Sequence, residues 1–246
     1  MQRLICDFSW DLSTFDTKIL GFKTAKIVLS DEDNVRKIET IGSLVQDLKN
    51  NGVVYATLRI KANDFLTAQE LEKNGFIVVD GIITLEKNLE EVITDSFLNI
   101  RSAKTSDLSQ LISIGATVFI GRSRYYHDSM ISENKANDIY SKWVENSVKK
   151  IVADDVLIWE HNKKILGLIS LQKKGQIPLV GVIREAKGRG IGKELLSAAC
   201  AVFRKWDLKK VTIETQITNI PALRLYQSSG FKIVDSYLTF RWHVNC

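Results

Sequence analysis

The chain has 246 residues, 45% hydrophobic and 26% charged, an ordinary globular composition long enough for one large domain or two modest ones. Its net charge of +5 suits an anionic ligand, but no dense Lys/Arg cluster with interleaved aromatics points to nucleic acid. Cys6, Cys200 and Cys246 carry no metal-type spacing, no apolar run nears the ~18 residues of a membrane span, and acids stand where a signal peptide has its apolar core. A reduced, cytoplasmic compartment is therefore expected, with no membrane partner and no metal.

In chain order, VVYATLRI (53–60) reads as a buried strand and TAQELEKNG (67–75) as a short helix stopped by Gly75. FIVVDGIITLE (76–86) reads as one or two strands. The polar stretch KNLEEVITDSFLN (87–99) is the best domain boundary, dividing the chain into 1–95 and 96–246. Beyond it a strand is expected to end near Ala103, with Thr105 or Ser106 capping a helix striped by Leu108, Leu111, Ile112 and Val118. SRYYHDSM (123–130) is polar and aromatic, and ENKANDIYSKWVENSVKK (133–150) is helical. Residues 154–174 form a hairpin turning at His161–Asn162–Lys163, and QIPLVGVIR (176–184) is the next strand. Apolar positions recur at helical spacing from Ile191 to Trp206.

The chain also repeats. Residues 56–87 align without a gap on 211–242 at a constant offset of 155, pairing Gly75 with Gly230, Phe76 with Phe231 and Asp80 with Asp235. Both copies read strand, short helix, Gly-Phe, strand. Only the second is preceded by KGRGIGKELL, with Gly188, Gly190 and Gly192 at every second position. A bare backbone where a helix begins suits an anion, because helix N-termini present unpaired N–H groups. The spacing is neither that of a P-loop nor of a dinucleotide fingerprint. Arg189 and Lys193 place charge within reach of the same anion, which weighs against a ligand-free glycine turn.

The loop resembles the acyl-CoA pyrophosphate loop of the GNAT N-acyltransferases, whose pattern is [Gln/Arg]-x-x-Gly-x-[Gly/Ala]. Lys187, Gly190 and Gly192 stand at those places, Lys departing from Arg in geometry but not in charge. TNIPALRLYQSSGF (218–231) resembles the family's Asn-x-x-Ala-x-x-x-Tyr-x-x-x-Gly-Phe segment through Asn219, Ala222, Tyr226, Gly230 and Phe231. The resemblance implies a mixed α/β fold with a mostly antiparallel sheet and helices on both faces, preceded by a smaller, partial α/β domain of the same kind that lacks the CoA loop. It implies acyl-CoA as co-substrate, with Val180, Val182 and Asn219 on the pantetheine. The amides from Arg189 through Gly190, Ile191 and Gly192 to Lys193 would hold the pyrophosphate, with Lys187 and Gly188 also against the cofactor. Tyr226 would protonate the leaving thiolate; in the first copy Leu71 and Asp64 stand opposite Tyr226 and Asn219, so that copy cannot do this chemistry.

Acceptor contacts are expected from Arg122, Arg124, Tyr125, Tyr126, His127 and Asp128, where arginines can clamp phosphates and aromatics can stack; a solvated loop over a core edge is the plainer reading. Over nearly the whole chain, loosely before about residue 95, the sequence is similar to the bacterial dTDP-fucosamine N-acetyltransferases. That similarity implies a dTDP-linked amino-6-deoxyhexose acceptor for surface polysaccharide, and a homodimer. The acyl group is acetyl or a longer one such as 3-hydroxybutyryl. His127 is the candidate general base by chain position, with Glu214 and Asp128 as alternatives. Neither motif holds a cysteine, so direct attack by the amine is expected rather than an acyl-enzyme. The rival readings are acylation of another small amine or a peptide N-terminus, and a non-catalytic CoA-binding module.

Overall fold

The computed structural model describes residues 3–5, 8–29, 34–89, 97–121 and 123–245. The boundary stretch therefore lies partly outside the described residues, as does Arg122. In order the chain forms β1 (Arg3–Ile5), β2 (Phe8–Leu12), α1 (Thr14–Leu20), β3 (Thr24–Leu29) and α2 (Asn34–Asn50). Then come β4 (Tyr55–Lys61), α3 (Phe65–Lys73), β5 (Ile77–Asn88), β6 (Ile100–Ser102), α4 (Leu108–Val118), α5 (Arg124–His127) and α6 (Glu133–Val148). The rest is β7 (Asp155–His161), β8 (Lys164–Leu171), β9 (Gln176–Ile177), β10 (Val180–Val182), α7 (Ile191–Lys205), β11 (Lys210–Gln216), α8 (Ile220–Ser228) and β12 (Lys232–His243).

The internal repeat is structural as well as sequential. Shifted by 155 residues, β4, α3 and β5 begin and end on the same positions as β11, α8 and β12. Gly75 and Gly230 both take the left-handed backbone that stops their helices, with φ of 82° and 86°.

Two compact units emerge, and they do not follow one cut in the sequence. The first holds Met1–Ile82, Arg124–Lys135 and Ser236–Cys246; the second holds Ile83–Ser123 and Ala136–Asp235. In the first, β1, β2 and β3 run antiparallel in turn, β3 pairs in parallel with β4, and the end of β12 pairs antiparallel with β4 from Tyr237↔Lys61 to His243↔Tyr55. Phe8, Ile27, Leu44, Leu58, Leu71, Phe76, Phe240 and Trp242 form its core. The last strand of the second repeat is thus built into the first unit.

The second unit returns the exchange. There the end of β5 lies beside β11, tied by Lys210–Glu86 at 2.9 Å and by Thr84 donating to Glu214 at 3.3 Å. Strands β6, β7, β8 and β10 form a separate antiparallel sheet. The hairpin turns where expected, because Asn162 and Lys163 both adopt positive φ, as a two-residue turn of twist-matching type requires. Helix α7 covers the core with Ile191, Leu195, Leu196, Ala199 and Phe203.

Two local expectations are corrected. The helix after β6 is not capped by Thr105 or Ser106. Asp107 closes its entry turn, accepting from the Lys104 amide at 2.7 Å while held by Arg101 at 2.7 Å, which keeps its carboxyl below the usual range. The stretch 176–184 is not one strand: Pro178 has no N–H for a ladder, and β9 and β10 on either side of it join different sheets.

Candidate active site

The interruption at Pro178 opens the second unit. β9 pairs with β11 only at Gln176↔Thr212 and Ile177↔Ile213, so Glu214–Gln216 run on past its end. β10 turns instead to β8 and is the edge of its sheet. Its hydrogen bonds to the β8 side pass through odd-numbered residues: Ser170 N–H donates to Leu179 O at 2.9 Å, and Ile183 N–H to Leu166 O at 2.9 Å. Antiparallel alternation then turns the backbone groups of Val180 and Val182 to the open edge. An extended ligand can pair there as an added strand would.

That edge leads into the glycine loop. Lys187 is extended, Gly188 and Gly190 take φ of 79° and 80°, and Gly190 is the N-cap of α7 with no side-chain cap. The N–H groups of Lys193 and Glu194 both return to Gly190 O, at 2.9 and 3.1 Å. Those of Ile191 and Gly192 find no acceptor among the described residues, and Arg189 and Lys193 stand exposed beside them. The loop is thus an uncapped, positively polarised helix start with two cations. Gly192 serves packing: a Cβ there would lie 2.9 Å from Leu225 Cδ2 of α8.

The two repeats use their helix starts differently. In α3, Asp64 caps its own helix, accepting from Thr67 N–H at 3.2 Å. Its counterpart Asn219 makes no cap bond; its amide donates to Thr215 Oγ1 at 3.0 Å, leaving Oδ1 for another donor. Tyr226, two turns along on the same side of α8, is buried in the core with its ring 6.2 Å from that of Phe231.

The acceptor-side residues belong to the first unit, apart from Arg122, which lies outside the described residues. Asp128 is 2% exposed; it accepts from Tyr55 at 2.8 Å and faces Arg241 at 3.3 Å. Arg124 bonds Asp16 at 3.4 Å and Tyr125 Oη at 2.7 Å, and its N–H donates to Asp80 at 3.0 Å. Tyr125 also donates to Asp16 at 3.2 Å, so these three side chains are engaged within the unit; His127 is exposed and Tyr126 half-buried. Burial pushes the Tyr55 phenol far above its ordinary range, Arg124 pulling it back and Asp128 adding to it. Sequence reasoning missed Asp16, Tyr55, Asp80 and Arg241, which lie too far along the chain for any spacing to announce. It also missed Gly181. Of the two residues expected to do the chemistry, Tyr226 belongs to the second unit and His127 to the first.

Among the described residues no three His, Cys, Asp or Glu side chains are grouped to hold a metal ion, and no helix is long and apolar enough to cross a membrane. Residues 124–231 match the Acetyltransferase (GNAT) family model. A GCN5-related N-acetyltransferase from Sphaerobacter thermophilus superposes with a TM-score of 0.66 over 96% of this chain and 76% of its own, at 16% identity. The fold is that of the GNAT acetyltransferases. It is a mixed α/β fold, mostly antiparallel, and the sheet split at β10 and the α7 loop are its parts here. In sequence, the chain is similar to the spore coat polysaccharide biosynthesis protein SpsD of Bacillus subtilis (strain 168), 25% identical over 154 residues. That match spans 61% of this chain and 52% of SpsD, about half its length. An N-alpha-acetyltransferase of Sulfurisphaera tokodaii is 26% identical over 55% of this chain and 80% of its own.

Proposed function

We propose that the chain is an acyl-CoA-dependent N-acyltransferase acting on the C3 or C4 amine of a dTDP-linked amino-6-deoxyhexose for surface polysaccharide synthesis. The observation that carries the donor half is the continuous path from the open edge of β10 to the uncapped start of α7. The pantetheine arm pairs with Val180 and Val182, its pyrophosphate receives the amides and charges from Lys187 to Lys193, and Asn219 Oδ1 meets the arm's amide.

The neutral amine attacks the thioester carbon, and the negative charge on oxygen is stabilised by a β10 amide. Collapse breaks the C–S bond; the departing thiolate takes the Tyr226 proton, and the new amide nitrogen gives its surplus proton to a base or to water. The match of residues 124–231 to the acetyltransferase family model supports this chemistry, as do the motifs at 187–193 and 219–226. The repeat copy within residues 1–95 has no CoA loop, and the groups given to acyl-CoA all come from residues 96–246.

The sugar acceptor is supported by the likeness to SpsD, a spore coat polysaccharide biosynthesis protein. A cytoplasmic homodimer goes with this reading. The similarity to an N-alpha-acetyltransferase favours a second acceptor, a peptide N-terminus.

Free-thiol release from acetyl-CoA decides between them. We expect turnover with dTDP-linked 3-amino- or 4-amino-6-deoxyhexose and none with spermidine or a peptide. Turnover with the peptide alone would install the second reading. Silence with every acceptor while CoA still binds would leave a binding module.

A further inference from the structure

Two glycines outside the loop thin the second unit at β10. Gly167 of β8 lies opposite Val182, and a Cβ there would meet Leu195 Cδ1 at 3.0 Å and Ile191 Cγ2 at 3.1 Å, so α7 lies close on that face. Gly181 points to the other face, where a Cβ would come within 2.7 Å of Val118 Cγ1 and 3.3 Å of Phe119 Cζ. The end of α4 is drawn in there as α7 is drawn in opposite. The edge strand β10 is therefore flanked by two closely set helices, the end of α4 against one face and α7 against the other.

The α4 wall is braced. Phe119 is 9% exposed and stacks on Tyr140 at 4.8 Å and 15°, and Tyr140 stacks in turn on Trp143 at 6.0 Å. One turn before Phe119, Gly115 lets α6 approach so closely that a Cβ would sit 3.0 Å from Val144 Cγ2 and 3.1 Å from Tyr140 O. A well-packed wall of this kind does not yield to extra methylenes without off-rotamer strain.

We propose that Val118 and Phe119 set the acyl length, admitting acetyl and excluding longer chains. The inference rests on the acyl-CoA reading of β10. There the arm runs from the start of α7 back along the edge, which brings the thioester beside Val180 and Gly181 under the end of α4. A two-carbon acyl group ends before the wall, whereas a four-carbon chain meets Val118 and Phe119. One methylene in an apolar pocket changes discrimination by roughly tenfold or more.

The test is calorimetric binding of acetyl-CoA, butyryl-CoA and 3-hydroxybutyryl-CoA to the full chain, which needs no acceptor. Wild type should bind acetyl-CoA at least about tenfold more tightly than either four-carbon thioester. Phe119→Ala should close most of that gap while acetyl-CoA affinity stays within about threefold. Because that change empties buried volume, Val118→Ala and Phe119→Leu are measured beside it, and each should narrow the gap in part. Equal binding of acetyl- and butyryl-CoA by wild type overturns the inference, as does undiminished discrimination in folded variants. Failure of all three thioesters to bind overturns the acyl-CoA reading itself, and with it the inference.

Discussion

Gly188, Gly190 and Gly192 are evenly spaced but answer to different constraints. The first two hold positive φ in open space, and the third clears Leu225. Gly190→Ala should therefore cost about 1–2 kcal/mol of stability from the left-handed backbone alone, and should weaken acetyl-CoA binding by tilting the helix start. Gly192→Ala should cost less, because Leu225 is a flexible neighbour; paired melting curves and titrations separate the two. Tyr226→Phe should lower kcat far more than it raises KM for acetyl-CoA, and an unchanged kcat would remove Tyr226 from the acid role. In the first unit His243 is buried, and burial together with Arg241 pushes its pKa below the usual 6.5, Asp128 opposing. Its unfolded form then binds the proton first, so stability falls as pH drops below about 6.5. His243→Gln should flatten the melting temperature between pH 7 and 5.5; an undiminished slope would assign the acid sensitivity elsewhere.

At the scale of elements, α3 and α8 are the same helix put to two uses. Asp64 is spent as a cap, while Asn219 is not. Asp64→Ala should thus lower stability by about 1 kcal/mol without touching acyl-CoA affinity. Asn219→Ala should be close to neutral in melting and should weaken acetyl-CoA binding several-fold; the reverse pattern would make Asn219 a structural residue. The strand elements were legible as strands, but not as partners. QIPLVGVIR carries enough apolar residues for one continuous strand, and only the departure of β10 to β8 after Pro178 creates the open edge. The short helix α5 was hidden in the same way, since its polar aromatic residues have no helical stripe until Tyr125 and Asp128 find Asp16, Tyr55 and Arg241.

Over the whole molecule, the repeat explains how one chain makes two units. Each copy gives its last strand to the unit that holds the other copy's first strand. A chain ending at Asp235 should therefore leave Tyr55–Lys61 as an unpaired, apolar edge, and the first unit should lose amide protection and aggregate. Retained protection in β2 to β4 would show that β12 is dispensable there.

The sequence by itself determined most of the elements after residue 53, the repeat and the bare glycine loop at the start of α7, because helix periodicity, glycine at a helix start and a constant offset between copies are all read locally. It determined the Arg124–Asp128 segment as polar and aromatic for the same reason. Only the tertiary structure decided where that segment's side chains go, which strand edge stays open, and how near α4 stands to Gly181. Those depend on pairings between residues from tens to more than a hundred positions apart, and no local propensity encodes a partner at that distance.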